Sequence, residues 1–150
     1  MSCQTFVGID VSKAQLEVAG LPSGRRHFDN TPQGVAELVR RLTPLAPELT
    51  VLEATGGYER LAACALADAK LPVVVANPRQ VRHFAKGQGL LAKTDKIDAA
   101  VLALFAEHVQ PAVRMLPEAD LVELRALLMR RGQLLEMQQM ERNRLPLTTP

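Results

Sequence analysis

The sequence predicts an α/β domain built on one mixed sheet of five strands. Short apolar runs near the start are separated only by turns, and later apolar runs alternate with segments of helical periodicity. Short connections favour antiparallel neighbours, whereas strand–helix–strand alternation favours parallel ones. With 150 residues, 47% of them hydrophobic and only 3% aromatic, a single core of Val, Leu, Ile and Ala is expected.

The first three strands are expected to form an antiparallel meander. Residues 5–10 are mostly β-branched and apolar, and they predict a buried strand that ends at Asp10. Residues 16–19 and 26–29 are short candidate strands, and the Pro and Gly of residues 21–24 indicate a turn between them.

The following elements alternate between helix and strand. Apolar residues at helical spacing predict a helix from Val35 to Leu42, which Pro44 ends. A strand at 50–53 ends at Glu53, an Ala-rich helix is expected over 58–69, and the apolar run 72–76 predicts the fifth strand. The sequence therefore predicts a parallel half-sheet after the meander.

The remaining elements are predicted from glycines, caps and composition. Residues 86–89 predict a loop, and Thr94 is expected to cap a helix from Asp95 to Val109. Residues 118–144, rich in Leu, Met, Gln, Glu and Arg, predict a long C-terminal helix. We expect an α/β domain at 1–112 and a helical linker or dimerisation segment at 113–150.

Composition excludes several classes of protein. No apolar run is long enough to span a bilayer and no signal peptide precedes the first strand, so a cytoplasmic location and no membrane partner are expected. The 2 cysteines have no metal-site spacing. Net charge is only +2, but residues 79–96 contain five Lys or Arg and one acid. This basic segment is a candidate nucleic-acid contact.

Four carboxylates are candidates for one metal site: Asp10, Glu53, Asp95 and Asp98. Asp10 and Glu53 end strands that should be neighbours, and Asp95 and Asp98 are expected at one helix start. Clustered carboxylates favour divalent cations, and a pair of Mg²⁺ ions can cleave phosphodiesters. Each Asp also has an ordinary explanation as a turn or cap residue, whereas Glu53 lies in an apolar run where an unpaired acid is costly.

Four ordered motifs resemble a known family. Residues 8–13 (GIDVSK), 52–58 (LEATGGY), 77–78 (NP) and 93–99 (KTDKIDA) match, in order and spacing, the N-terminal domain of DEDD transposases of the IS-one-ten class, which includes Piv-like DNA invertases. The resemblance covers roughly residues 5–112, so it is more specific than any single motif.

The resemblance implies an RNase H-like (RuvC-like) fold and metal-dependent cleavage and strand transfer of DNA. It implies that the catalytic and metal-binding residues are Asp10, Glu53, Asp95 and Asp98, with Mg²⁺ as cofactor, for which Mn²⁺ can substitute. It further implies dimerisation through a helical region after the domain and a structured guide RNA as a partner besides DNA. The basic residues expected to contact nucleic acid are Lys13, Arg79, Arg82, Lys86, Lys93 and Lys96.

One feature departs from the family pattern. The family has a C-terminal domain with a serine that attacks DNA, whereas the serines here are Ser2, Ser12 and Ser23. We therefore interpret the chain as the N-terminal domain without its serine-bearing partner, and recombination by it alone is not expected. Two other interpretations remain open: a nucleic-acid-binding and dimerisation module without cleavage activity, and an actin-like ATPase domain, which also begins with a Gly-Ile-Asp strand.

Overall fold

The computed structural model describes residues 4–90, 97–116 and 119–148. Its strands are β1 (Phe6–Val11), β2 (Gln15–Ala19), β3 (Arg26–Asp29), β4 (Leu49–Glu53) and β5 (Val73–Ala76). Its helices are α1 (Pro32–Leu42), α2 (Arg60–Asp68), α3 (Pro78–Gly87), α4 (Ala99–Val109) and α5 (Ala119–Thr148), with a 3₁₀ turn at Thr43–Leu45. The chain divides into two compact units, 1–114 and 115–150, and α5 lies in the second.

The first unit contains one mixed sheet in the order β3-β2-β1-β4-β5. β1, β2 and β3 pair antiparallel, while β4 pairs parallel with both β1 and β5. The predicted mixed five-stranded sheet with flanking helices is confirmed, and it is consistent with an RNase H-like domain. The order places the ends of β1 and β4, where Asp10 and Glu53 occur, side by side.

Helix α4 covers one face of this sheet. It packs across β1, β4 and β2 and also contacts α3. Gly8 permits this close approach, because a Cβ at that position would collide with the carbonyl oxygen of Ala99 and the backbone nitrogen of Ala103. A buried cluster that includes Val51, Leu102 and Phe105 fills this interface. Since side chains alternate along a strand, Asp10 and Glu53 lie on the same face as Gly8 and Val51.

The opposite face is also buried. Ile9 and Leu52 lie there and are fully buried. Helices α1 and α2 contact each other and contribute fully buried Leu38 and Leu66. Burial of both faces explains why the sequence of β4 is a nearly continuous apolar run before Glu53.

Two predicted boundaries were wrong. Residues 86 and 87 belong to α3 rather than to a loop, since Asn77 caps that helix through the N–H of Arg79 and buried Val81 and Ala85 anchor it. Helix α4 begins at Ala99 rather than at Asp95, because the side chain of Asp98 caps it. The predicted cap Thr94 lies outside the described residues.

Candidate active site

The carboxylates of Asp10 and Glu53 share one rim of the sheet. The parallel register pairs Gly8 with Val51 and Ile9 with Leu52, so Asp10 and Glu53 follow at the next level. Both residues are half-buried. The structure thus brings together the two acids that the sequence predicted on neighbouring strands.

The electrostatics of Glu53 reflect this proximity. Burial is the largest cause that raises the pKa of Glu53, and the negative charge of Asp10 raises it further. The charge of Arg82 on α3 acts in the opposite direction and lowers that pKa. A half-buried carboxyl beside a second carboxylate is an unfavourable place for a negative charge, and an additional cation at the rim would relieve it.

Asp98 lies at the start of α4, on the face that carries Asp10. Its Oδ1 accepts a hydrogen bond of 2.9 Å from the N–H of Val101, which is an N-cap interaction. Its Oδ2 accepts a hydrogen bond of 3.1 Å from Nη2 of Arg25. Both oxygens of this candidate ligand therefore already have protein donors.

Two residues at this rim, Glu17 and Arg25, were not predicted from the sequence as site residues. Glu17 is the cross-strand partner of Asp10 in the β1–β2 pair, so their side chains share a face. Arg25, in the connection between β2 and β3, donates from Nη1 to Oε1 of Glu17 at 2.9 Å and from Nη2 to Asp98. An acid between apolar Leu16 and Val18 was a usable signal for Glu17. Nothing in the sequence indicated that Arg25 pairs with an acid 73 positions away.

Hydrogen bonds fix the two loops beside the rim. Oε2 of buried Glu59 accepts from the N–H and hydroxyl of Thr55 and from the N–H of Gly57. Burial raises the pKa of Glu59, but hydrogen bonds from backbone N–H groups of this loop and from the hydroxyl of Thr55 together hold that pKa below its usual value. Asn30 donates to the carbonyl oxygens of Ser12 and Tyr58, at 2.9 and 3.0 Å, and so ties the β1–β2 turn to the loop after β4. The loops that border Asp10 and Glu53 are thereby held together.

Basic side chains lie along α3 and at the β1–β2 turn. Arg79, Arg82 and Lys86 occupy positions i, i+3 and i+7 of α3, which form one helical stripe. Arg79 and Lys86 are exposed, and Arg82 is half-buried and interacts with Glu53. Lys13 is exposed in the turn after β1. Predicted Lys93 and Lys96 lie outside the described residues, as does Asp95.

Comparison with known proteins identifies the family. A family model for DEDD transposases of the IS-one-ten type, described as transposase, matches residues 7–147. The chain belongs to this DEDD transposase family. Its membership confirms the resemblance found in the sequence.

Two curated relatives are similar to this member of the family. They are the pilin gene-inverting proteins of Moraxella lacunata and Moraxella bovis, each 29% identical over 136 residues. The match covers 85% of this chain and 42% of each relative. The chain thus spans less than half the length of the curated relatives that it matches.

The donor chemistry of the rim fits a divalent cation. Carboxylate oxygens are the ligands that Mg²⁺ and Mn²⁺ prefer, and burial together with Asp10 disfavours the ionised form of Glu53. Within residues 4–90, 97–116 and 119–148, no three Asp, Glu, His or Cys side chains are grouped closely enough to hold one ion.

In the same part of the chain, no helix combines the length and apolarity needed to cross a bilayer.

Proposed function

We propose that this chain provides the carboxylate site of a DNA transposase or recombinase, which cleaves phosphodiester bonds and transfers strands with the help of a divalent metal. The proposal depends above all on the position of Glu53 at the shared rim beside Asp10, where burial and, next, the charge of Asp10 raise the pKa of Glu53. Membership of a transposase family supports the substrate class. The pilin gene-inverting relatives support DNA as the substrate.

The carboxylates have different proposed roles. Asp10 and Glu53, on adjacent strands, would hold the metal, and Asp98 together with Asp95 would complete the set of ligands. Mg²⁺ is the proposed cofactor and Mn²⁺ a substitute. Such a cation, when bound, activates the attacking water or hydroxyl and stabilises the leaving oxygen.

The basic residues would contact the DNA backbone. Arg79 and Lys86 are exposed on α3, the helix that also carries Arg82 near Glu53. Guanidinium and ammonium groups bind phosphates without reading sequence, so these contacts would place a strand beside the carboxylates rather than select a target. Lys13 extends this surface at the β1–β2 turn, and Lys93 and Lys96 are proposed to join it.

The assembly of the complete recombinase is a further part of the proposal. Residues 113–150 would serve as the linker and homodimerisation segment, and a structured guide RNA would be a partner besides DNA. The match covers only 42% of the length of each curated relative. Strand exchange is therefore proposed for an assembly that also contains a serine-bearing domain.

A titration of Mn²⁺ into the metal-free protein tests the metal assignment. We expect Asp10→Asn and Glu53→Gln each to weaken binding by about 10-fold or more, because each removes a charged ligand from the rim. Asp68→Asn, at the exposed end of α2, removes an equal charge and should leave the affinity close to that of the wild type. Binding that is equally tight in all four proteins would contradict the proposal and leave a nucleic-acid-binding module.

A further inference from the structure

Arg25 bridges two carboxylates at the rim of the candidate site. Its two terminal nitrogens contact Glu17 and Asp98, at 2.9 and 3.1 Å. Glu17 is paired with Asp10 across β1 and β2, and Asp98 begins the helix that packs on Gly8. The guanidinium therefore links Asp98, an acid proposed to bind metal, to Glu17, the cross-strand neighbour of Asp10, and its positive charge offsets the charges of Glu17 and Asp98.

The two oxygens of Asp98 differ in how firmly the protein holds them. Oδ1 caps α4 through the N–H of Val101, an interaction that contributes to helix stability. Oδ2 belongs to an ion pair whose side chains are 51% and 40% exposed, and such pairs contribute little because water competes for both partners. If Asp98 gives up one contact in order to bind a cation, the contact with Arg25 is the easier one to lose.

We propose that Arg25 is a positioning residue that competes with the divalent cation for Asp98. In the metal-free protein Arg25 bridges Glu17 and Asp98. Cation binding requires that the contact between Arg25 and Asp98 opens. The proposal rests on the proposed function, since it assumes that Asp98 is a metal ligand. It adds a residue outside the four acids and predicts that its removal strengthens binding rather than weakens it.

The proposal also explains how the acids coexist before metal arrives. Glu17, Asp10 and Glu53 occupy neighbouring strands at the same level of one sheet face, and Arg25 joins Glu17 to Asp98. Like charges at this spacing repel one another. Arg25 offsets the charge at one end of the row, as Arg82 does near Glu53 at the other end.

Mn²⁺ titration of charge-matched variants tests this competition. We expect Arg25→Gln to tighten Mn²⁺ binding by up to about 5-fold, the upper end of what an exposed ion pair is worth. Arg26→Gln removes the same charge from the next residue, which is also exposed, and should change the affinity less than about 2-fold. Melting curves of both variants check that each is folded. Arg25→Lys, which cannot contact both acids through one planar group, should give an intermediate affinity.

A second pair of proteins shows whether Asp98 mediates the effect. In an Asp98→Asn background, Arg25→Gln should produce no further tightening. Equal effects of Arg25→Gln and Arg26→Gln, weaker binding in Arg25→Gln, or tightening that persists without Asp98 would each overturn the competition. The proposed function would survive any of these results, because it depends on the loss of binding in Asp10→Asn. Absence of Mn²⁺ binding in the wild type and in Arg25→Gln would overturn both.

Discussion

Glu53 is an acid placed where its charge is disfavoured. Burial and the neighbouring carboxylate of Asp10 both favour its protonated form, and Arg82 only partly compensates. An acid that served stability alone would be expected in a site like that of Glu59, whose carboxylate accepts three hydrogen bonds. The contrast between these two glutamates, six residues apart, separates a structural acid from one suited to bind a cation.

The raised pKa of Glu53 predicts how stability depends on pH. The folded state binds the proton of Glu53 more tightly than the unfolded chain does, so the contribution of Glu53 is fully present below its ordinary pKa of 4.5 and is lost as pH rises through the folded value. Glu53→Gln lacks this loss. We therefore expect the metal-free variant to melt at a higher temperature than the wild type near neutral pH, and the difference to vanish well below pH 4.5.

Melting curves across this pH range, without and with Mg²⁺, measure the effect. Glu48→Gln, on an exposed residue next to β4, is the matched control and should show no comparable gain. Added Mg²⁺ should stabilise the wild type and not Glu53→Gln, since a ligand stabilises only the state that binds it. A Glu53→Gln variant that is less stable than the wild type near neutral pH would show that the acid is structural.

At the scale of elements, the β1–β2 hairpin and α4 assemble the rim. The hairpin register places Glu17 opposite Asp10, and the turn that follows β2 brings Arg25 to both Glu17 and Asp98. Helix α4 delivers Asp98 because it crosses β1 at Gly8, where a side chain would collide with the helix backbone. The distance between Asp98 and the strand acids therefore depends on one glycine.

Gly8→Ala tests this dependence. The added methyl group would meet backbone atoms of Ala99 and Ala103, which cannot move without displacing α4, so we expect a loss of about 3 kcal/mol or more of unfolding free energy. Gly87→Ala is the control, because a Cβ there meets no atom within 4 Å. It should leave stability unchanged or raise it by up to about 1 kcal/mol, as Ala favours helix over Gly. Urea denaturation of both variants measures the difference, and a harmless Gly8→Ala would contradict the proposed packing.

At the scale of the whole first unit, the sheet was predictable because its signals are local. Short apolar runs, turn residues and helical periodicity predict the elements, and the order of these elements along the chain predicts that Asp10 and Glu53 lie on neighbouring strands, as they do. The start of α4 was not predictable in this way, because Thr94 and Asp98 are both residue types that cap helices. In the structure, the helix that packs on Gly8 begins directly after Asp98. The bridge from Arg25 to Asp98 joins residues 73 positions apart, and no local pattern encodes such a pair.

If the rim of β1 and β4 binds a divalent cation for DNA cleavage, a crystal soaked in Mn²⁺ should hold the ion at this rim. We predict an anomalous difference peak within coordination distance of both Asp10 and Glu53, with Arg25 no longer paired with Asp98 if Asp98 is also a ligand. The peak should be absent in crystals of Asp10→Asn grown in the same way. A wild-type crystal soaked in Mn²⁺ with no peak at this rim, or a peak that persists in Asp10→Asn, would contradict the account.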